Sequence, residues 1–331
     1  MPIAEDKYSG NAKGGTELMK FKLRDSIPAD LLDKFQIFVS RVHEELSDKH
    51  IRLLWLQDLA GDPESEHLKN GGWKKFHKLI FSSHWQMRGY IDYYKIPWSK
   101  CIVIRNGILP IDFEDSDKDN STIRLVYTPT PHRGLNILYA VFERLAKEYD
   151  NIQLDVFSSF KLYGWEQRDE PYQELFAKLK EHPKVVYHGT VPNEELREHL
   201  KKSHIFAYPS IWQETSCICL MEAMSAGLIC VHPNFGALPE TAANWTHMYQ
   251  WQEDMNEHAN LFYNVLKGAI EDVKNLQNVD YVNKIRTQKA YTDVFYNWDI
   301  IKLQWNALLE SLQNEPTTIE KPTGALFEYR A

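Results

Sequence analysis

Two glutamates that lie eight positions apart, Glu214 and Glu222, are the residues of this chain best suited to do chemistry. They stand between a short apolar segment and an Ala-rich segment that ends at Gly227. Carboxylates accept hydrogen bonds well, so one could reach the hydroxyls of a sugar and the other those of a ribose. Thr215 or Ser216 can cap the helix that follows, and the exposed N–H groups at its start would attract a phosphate. The spacing therefore predicts a site for a diphosphate sugar.

The segments on either side of the pair predict how it is positioned. Residues 204–210 predict a buried strand that leads into the Glu214 loop, and residues 228–231 predict a second strand directly after the helix. Parallel strands leave their ligand crevice at their carboxyl ends, where this loop would lie. Residues 236–240 form a further loop that adds Glu240 at the same edge. An isolated pair of glutamates would be ordinary solvated carboxylates, but this context favours a binding site.

Four sequence motifs in this region occur together in one enzyme family. They resemble the retaining, nucleotide-sugar-dependent glycosyltransferases of the GT-B fold, family 4, the glycosyl transferases group 1. The resemblance implies an α/β fold with two Rossmann-like, doubly wound parallel-sheet domains that face a cleft. It extends over residues 123–313 and, more weakly, over residues 14–107. The motifs are residues 214–227, 236–240, 188–196 and 133–135.

Domain boundaries follow from an acidic, polar segment without apolar periodicity, which we interpret as a linker over residues 112–122. After it, strand patterns alternate regularly with helix patterns and predict a doubly wound parallel sheet over residues 123–296, which the resemblance implies is the nucleotide-sugar-binding domain. The predicted strands are residues 123–127, 152–157, 185–188, 204–208 and 228–231, and the predicted helices are residues 135–149, 172–181 and 193–202.

Residues 1–111 would form the N-terminal Rossmann-like domain on the acceptor side, with an abbreviated or atypical first strand. Strands are predicted there at residues 36–40, 51–56, 78–81 and 101–105, and residues 82–86 resemble the family's strand-to-helix turn. The resemblance implies that residues 297–331 hold a C-terminal helix that crosses back to the N-terminal domain, followed by a tail. Apolar residues at helical spacing between residues 298 and 312 predict a buried stripe on this helix.

The family commonly has two cations after the first strand of the C-terminal domain, which contact the donor phosphates. Arg133 takes one of these positions and can bind a diphosphate through two parallel hydrogen bonds. Thr128 takes the other, so a hydroxyl or another basic residue, such as Lys161, would have to compensate. The alternative is that Arg133 is an ordinary surface charge.

The resemblance also implies roles for the rest of the donor site. Glu214 would orient the sugar and Glu222 the ribose, so neither need be a nucleophile. Catalysis would then rest on electrostatic stabilisation of the leaving diphosphate by Arg133 and the start of the helix. The residues at that helix start and in the loop that would frame the base are Thr215, Ser216, Cys217, Thr190 and Val191.

Two features of the N-terminal half would complete the site. Gln57 stands where the family commonly has a histidine, and an amide hydrogen-bonds to a hydroxyl but does not shuttle a proton. Gly14, Gly15 and Thr16 open a predicted helix, and glycines let the backbone approach a ligand closely. An isolated glycine pair is more often a flexible turn. By the resemblance, we expect this loop to contact donor phosphate or acceptor.

Composition narrows the class of protein. A length of 331 residues suits two domains, and the chain has neither a long apolar run nor the basic and apolar parts of a secretory signal. We therefore expect a soluble, cytoplasmic protein. A net charge of −8 without a run of Lys or Arg disfavours nucleic acid and anionic membranes as partners. The four cysteines lack metal-type spacing and are expected to be reduced, structural thiols.

The favoured function is transfer of a sugar from a nucleotide-diphosphate sugar to a glycan, lipid-linked or small-molecule acceptor, with retention of configuration. No cofactor and no metal are expected, because GT-B enzymes characteristically work without one. Two alternatives stay open. Nucleotide-sugar 2-epimerases share the architecture but lack the paired-glutamate pattern, and a binding protein that lost turnover would fit Gln57 and Thr128. The nucleotide base, the sugar and the acceptor are not determined by the sequence.

Overall fold

The computed structural model describes residue 3 and residues 14–114, 117–119, 121–274 and 279–319. These residues form two compact units. The N-terminal unit comprises Ile3, residues 20–104 and residues 302–319. The C-terminal unit comprises residues 14–19 and the described residues between 105 and 301.

The N-terminal unit is built on a parallel sheet of four strands that pair in the order in which they follow one another in the chain. Strands β1 and β2 are buried along their whole length, which explains why they are mainly apolar, with only Gln36 and Arg52 as polar members. Ile3 pairs with Ile37 of β1 in a single parallel bridge. In chain order the elements are α1 (Gly15–Ser26), α2 (Ala29–Leu32), β1 (Phe35–Val39), β2 (Ile51–Leu56), β3 (Lys78–Phe81), α3 (His84–Tyr94) and β4 (Cys101–Val103).

Helix α3 packs an apolar stripe against the N-terminal sheet. Ser83 caps it, because the Ser83 hydroxyl accepts a hydrogen bond from the Gln86 backbone N–H over 3.0 Å. The Tyr90 ring packs against Phe81 of β3 with 5.4 Å between ring centroids. The strand-to-helix turn predicted at residues 82–86 is therefore present.

The C-terminal unit contains a parallel sheet of six strands in the order β10-β9-β8-β5-β6-β7. Its helices connect successive strands, and the unit has one large apolar core. The elements are β5 (Ile123–Tyr127), α4 (Leu135–Glu148), β6 (Ile152–Val156), α5 (Gln173–Glu181), β7 (Val185–Tyr187), α6 (Asn193–Lys202), β8 (Ile205–Ala207), α7 (Ile218–Ser225), β9 (Ile229–Pro233), α8 (Leu238–Ala242), β10 (His247–Tyr249), α9 (Met255–Lys274), α10 (Val279–Phe295) and α11 (Trp298–Leu312).

The order of these strands creates a topological switch point. The chain runs outward from β5 through β6 to β7, returns to β8 on the other side of β5, and continues through β9 to β10. The loops that leave the carboxyl ends of β5 and β8 therefore diverge and open a crevice between them. Two α/β units with parallel sheets confirm the predicted fold class. Among the C-terminal strands the prediction missed β10, which has only three residues and lies at an edge.

Helix α11 carries the apolar stripe predicted for the last helix, and all five of its members are buried. The Trp305 ring meets Trp55 of β2 edge-on, with 4.8 Å between ring centroids. The residues of α11 from Lys302 onward belong to the N-terminal unit, so this unit is assembled from separate parts of the chain. The stripe consists of Trp298, Ile301, Trp305, Leu308 and Leu312.

None of the helices in the described part of the chain combines the length and the apolar composition that a bilayer-spanning segment requires.

Candidate functional site

A buried carboxylate lies at the switch point of the C-terminal sheet. Glu214 is in the loop after β8 and is 4% exposed. Its Oε1 atom accepts a hydrogen bond from Nη1 of Arg133 over 2.5 Å, and the Tyr208 hydroxyl donates to the same oxygen. Arg133 closes a short 3-10 turn in the loop after β5. The structure thus brings together the two residues that the sequence placed at the sugar and the diphosphate.

Two glycines allow the neighbouring loops to approach so closely. At Gly236, φ is +61° and a Cβ atom would lie 2.6 Å from the Glu214 backbone nitrogen. At Gly134, φ is +113° and a Cβ would lie 2.1 Å from the Pro209 carbonyl oxygen. The Ala237 N–H also donates to the Glu214 carbonyl over 2.7 Å. The loops after β5, β8 and β9 are therefore locked together around the carboxylate.

The charges of this pair are fixed by their surroundings. Burial acts to lower the pKa of Arg133, but the Glu214 carboxylate raises it, and the result lies well above the ordinary value. Burial, reinforced by Glu214, raises the pKa of Tyr208 well above its ordinary value. Arg133 therefore stays cationic, and Tyr208 keeps the proton that it donates to Glu214.

Four buried polar atoms near this pair have no hydrogen-bond partner among the residues that the structure describes. They belong to the loop after β5 and to the loop before α7, which flank the crevice. A buried polar atom without a partner costs free energy, typically about 1–3 kcal/mol, so native proteins satisfy most of them. A ligand that supplies donors and acceptors here would remove that cost. The atoms are Thr130 Oγ1, His132 Nδ1, Arg133 Nε and Ser216 Oγ.

Aromatic rings line the same loops. The His132 ring stacks on Phe160 with 5.2 Å between centroids, and it meets Trp212 edge-on at 4.9 Å. The Arg133 guanidinium lies over the Trp212 ring at 5.9 Å. Burial, together with the Arg133 charge, lowers the pKa of His132 to about 4, so the ring is neutral at physiological pH. In the sequence, His132 is one of three histidines, with His43 and His84, that could stand in for the histidine replaced by Gln57, but the sequence supports no assignment for it and does not single out Thr130.

The start of α7 differs from the prediction. Cys217 occupies the N-cap position, so the expectation that Thr215 or Ser216 caps the helix is wrong. The reason is geometric, since residues 215–216 form a bend and the helix begins only at Ile218. Burial, reinforced by Glu214, raises the pKa of the Cys217 thiol well above its ordinary value, so the thiol is neutral.

The second glutamate of the motif lies in the second turn of α7. Glu222 is buried, and its Oε1 atom lies 3.8 Å from Nη1 of Arg197 on α6. Arg197 also donates to the carbonyl oxygens of Leu109 and Pro110. Arg197 was not predicted, because only the packing of α6 beside α7 brings this cation to Glu222.

The remaining predicted donor residues lie around the same unit. The Thr128 side chain hydrogen-bonds to Cys219, whose pKa burial raises to about 11. The Lys161 ammonium is exposed and forms an ion pair with Glu166 at 3.6 Å. It lies in a short turn after β6, whereas Arg133 lies in the loop after β5. In the loop after β7, Thr190 is exposed and Val191 is half-buried.

The glycine pair at the start of α1 is closely packed within the C-terminal unit, to which residues 14–19 belong. A Cβ atom on Gly14 would lie 2.2 Å from the Tyr163 ring, and one on Gly15 would lie 3.0 Å from the side chain of Ile218, the first residue of α7. Thr16 follows in the first turn of α1. Gln57 belongs to the N-terminal unit, where it directly follows β2 and its backbone N–H donates to the Ser40 hydroxyl over 3.0 Å.

Sequence comparison places residues 112–278 in the family described as glycosyl transferases group 1. The phosphatidylinositol N-acetylglucosaminyltransferase GPI3 subunit of Saccharomyces cerevisiae (strain YJM789) is 22% identical over 231 residues. The match covers 63% of this chain and 49% of the yeast protein, so the chain spans about half the length of that relative.

Solved structures share the fold. A glycosyltransferase from Rickettsia africae ESF-5 superposes with a TM-score of 0.65 at 14% identity, covering 94% of this chain and 84% of the other. HepE from Anabaena, solved in complex with UDP, superposes with a TM-score of 0.63 at 14% identity, covering 89% and 83% of the two chains. The likeness to these solved structures confirms the predicted GT-B fold.

Proposed function

Since the chain belongs to the glycosyl transferases group 1, we propose that it transfers a sugar from a nucleotide-diphosphate sugar to a hydroxyl acceptor with retention of configuration, as in family 4. The observation that carries this proposal is the Arg133–Glu214 ion pair at the switch point of the C-terminal sheet. A carboxylate that can orient a sugar and a guanidinium that can bind a diphosphate are in direct contact there. The unpartnered polar atoms beside them are suited to bind such a donor.

Stabilisation of the leaving group is the main catalytic contribution that this arrangement supports. Negative charge builds up on the diphosphate as its bond to the anomeric carbon breaks, and fixed positive groups lower the energy of that state. Arg133 supplies a permanent charge, and its Nε has no partner among the described residues. The backbone N–H groups at the start of α7 would add to it. Neither contribution needs a metal ion, so the proposed reaction is metal-independent.

The carboxylates position the donor in this proposal. Glu214 accepts hydrogen bonds from the sugar hydroxyls through its second oxygen, because Oε1 is already bound by Arg133 and Tyr208. Glu222 accepts from the ribose hydroxyls. The acceptor oxygen then attacks the anomeric carbon on the face that the diphosphate leaves, and its proton passes to the departing phosphate.

Further donor contacts are assigned by the resemblance. Gln57 would hydrogen-bond to a sugar hydroxyl, and the glycine loop would contact the phosphate or the acceptor. The remaining residues in these roles are Thr128, Lys161, Thr190, Val191, Thr215, Ser216 and Cys217 for the donor, and Gly14, Gly15 and Thr16 for the loop.

A UDP-sugar is the first donor to test, because HepE was solved with UDP. The name of the yeast relative, a phosphatidylinositol N-acetylglucosaminyltransferase subunit, makes a lipid-linked acceptor the first to test. A cytoplasmic location and the absence of a nucleic-acid partner, both expected from composition, complete the proposal.

A thermal-shift series tests donor binding. The full chain is heated with UDP-, GDP-, ADP- and dTDP-sugars, and one nucleotide should raise the melting temperature by several degrees, because a ligand stabilises the state that binds it. Arg133→Met should lose that shift, and substitution of an exposed carboxylate, Glu253→Gln, should keep it. Stabilisation by none of the four nucleotides would contradict the proposal.

Product analysis separates the alternatives. With the donor that binds and a panel of glycan, lipid-linked and small-molecule acceptors, a glycosyltransferase forms a labelled conjugate whose anomeric configuration NMR can assign. A 2-epimerase would instead convert the nucleotide sugar without an acceptor. Donor binding without either product would favour a binding protein. Gln57, which stands in place of the family's histidine, is the observation that supports this alternative.

A further inference from the structure

One cluster of side chains in the C-terminal unit has the composition of a metal site and shares no residue with the proposed donor site. Asp155, His188 and His199 each offer one ligand atom, and these three atoms all lie within 4.8 Å of one another. Asp155 is on β6, His188 directly follows β7, and His199 is on α6. Three elements distant in sequence thus converge on one point.

The Asp155 carboxylate is already oriented for this role. Its Oδ1 atom lies 2.8 Å from His188 Nε2. Its Oδ2 atom accepts a hydrogen bond from Gln153 over 3.1 Å and lies 3.9 Å from the Arg124 guanidinium. One carboxylate oxygen therefore faces the histidines, while groups behind it fix the other, as is usual for carboxylates that bind metals. The Arg124 charge opposes a cation, but it lies on the Oδ2 side.

The two imidazoles are held side by side. The Phe157 ring stacks on His188 with 4.2 Å between centroids and an interplanar angle of 8°, and His199 lies 4.7 Å from His188. The His199 ring also packs against the Phe157 ring, with 4.9 Å between centroids. The hydrogen bond to Asp155 explains the orientation of the His188 ring but not that of the His199 ring. The His199 ring packs against the Phe157 and His188 rings but makes no hydrogen bond among the described residues, so its nitrogens are open to a ligand.

We propose that Asp155, His188 and His199 bind one divalent transition-metal ion of the Zn²⁺ class. Two imidazoles and one carboxylate suit Zn²⁺, whose tetrahedral ligands lie about 3.4 Å apart at its usual bond lengths. Small rotations of the two half-exposed imidazoles bring the three atoms to that spacing. Water completes the coordination, because both rings are reached by solvent. The ion ties β6, β7 and α6 together and stabilises the C-terminal unit.

Cobalt titration tests the site without relying on activity. The full chain, free of any affinity tag and stripped with a chelator, is titrated with Co²⁺ while visible absorption is recorded. The proposal expects one ion per chain with the intense bands of a tetrahedral complex, displaced by Zn²⁺. His199→Ala should weaken binding by at least about tenfold, and His43→Ala, at an exposed histidine of the N-terminal unit, should leave it unchanged.

The alternative outcomes are distinct. Absence of saturable absorption from the unaltered chain would overturn the proposal, and so would equal losses in the two histidine variants, which indicate scattered surface binding. If His199→Ala proves unstable by circular dichroism, Asp155→Asn supplies the second test, because it keeps the shape of the side chain while removing its charge. Donor-sugar shifts are measured separately, so failure here leaves the proposed glycosyl transfer untouched.

Discussion

Arg133 and Glu214, 81 positions apart in sequence, form an ion pair in which Arg133 Nη1 lies 2.5 Å from Glu214 Oε1. Glu214 is almost fully buried, so each charge depends on the other for compensation. The pair is therefore both part of the fold and, in the proposed function, the centre of the donor site.

Removal of one member of this pair should destabilise the C-terminal unit. Arg133→Met leaves a buried carboxylate without its cation, and we expect the free energy of unfolding to fall by about 2–3 kcal/mol. The double variant with Glu214→Gln should recover part of that loss while donor binding stays lost. Urea unfolding of the two single variants and the double variant measures the coupling. Additive losses would mean that the two side chains are independent.

Substitutions of Glu214 and Glu222 should have different effects on donor binding and sugar transfer. Glu222→Ala should weaken the binding of free nucleotide and of nucleotide sugar alike, because it acts on the ribose. Glu214→Ala should chiefly impair discrimination between sugars and the transfer rate. Calorimetry with a nucleoside diphosphate and its sugar conjugates distinguishes the two patterns. If both substitutions had equal and negligible effects on binding and transfer, the roles assigned to Glu214 and Glu222 would be wrong.

The loop after β9 should tolerate no side chain at Gly236. Gly236→Ala would place a Cβ against the Glu214 backbone at a positive φ, and we expect a loss of about 1–3 kcal/mol. Gly268→Ala is the matched control, because that helical position has open space and alanine should stabilise it by about 0.5–1 kcal/mol. Chemical denaturation of both variants measures the contrast. Similar values for the two would show that the close approach is unimportant.

A fully buried histidine should make stability depend on pH. Burial lowers the pKa of His232 from 6.5 to about 4, and the ring bonds to Thr246. Below pH 6.5 the unfolded chain therefore binds a proton that the folded chain does not, so stability falls as pH falls from about 6.5 to about 4. From pH 7 to pH 5 this one group should account for about 2 kcal/mol.

Comparison of variants isolates that contribution. His232→Gln should flatten the dependence of the unfolding free energy on pH over this window, while His43→Gln, at an exposed position, should not. Urea unfolding at several pH values provides the measurement. An unchanged slope in His232→Gln would assign the effect to other groups.

The last helix should be essential to the N-terminal unit. Trp305→Ala opens a large cavity beside Trp55, and such changes cost about 3–5 kcal/mol. Leu303→Ala on the exposed face of α11 should cost little. Thermal unfolding followed by tryptophan fluorescence compares the two, and equal melting temperatures would contradict the packing described here.

Much of the fold was predictable because local patterns and burial agree. Strands β2, β3 and β5 have the predicted bounds, since each is a short apolar run between polar turns. Arg133 and Glu214 were predictable because motif spacing ties each to a strand end. Helix α6 was also predicted with the observed bounds, from residue 193 to residue 202.

What the sequence did not predict depends on contacts between distant segments. Arg197 reaches Glu222 only through the packing of two helices, and Asp155 meets His199 only because β6 lies beside β7 and α6. The cap of α7 was mispredicted because Thr215 and Ser216 have favourable side chains but lie in a bend. The local sequence identifies residues that could cap a helix, and the tertiary structure determines which residue occupies the cap position.

The contribution of α11 to the N-terminal unit has a consequence for synthesis on the ribosome. Trp55 is translated early, but its partner Trp305 emerges only after the whole C-terminal sheet has been made. Domains usually fold in the order in which they are synthesised, and here the first sheet must wait for the last helix. A nascent chain that stalls before Trp298 would leave an apolar face of that sheet uncovered and available to chaperones.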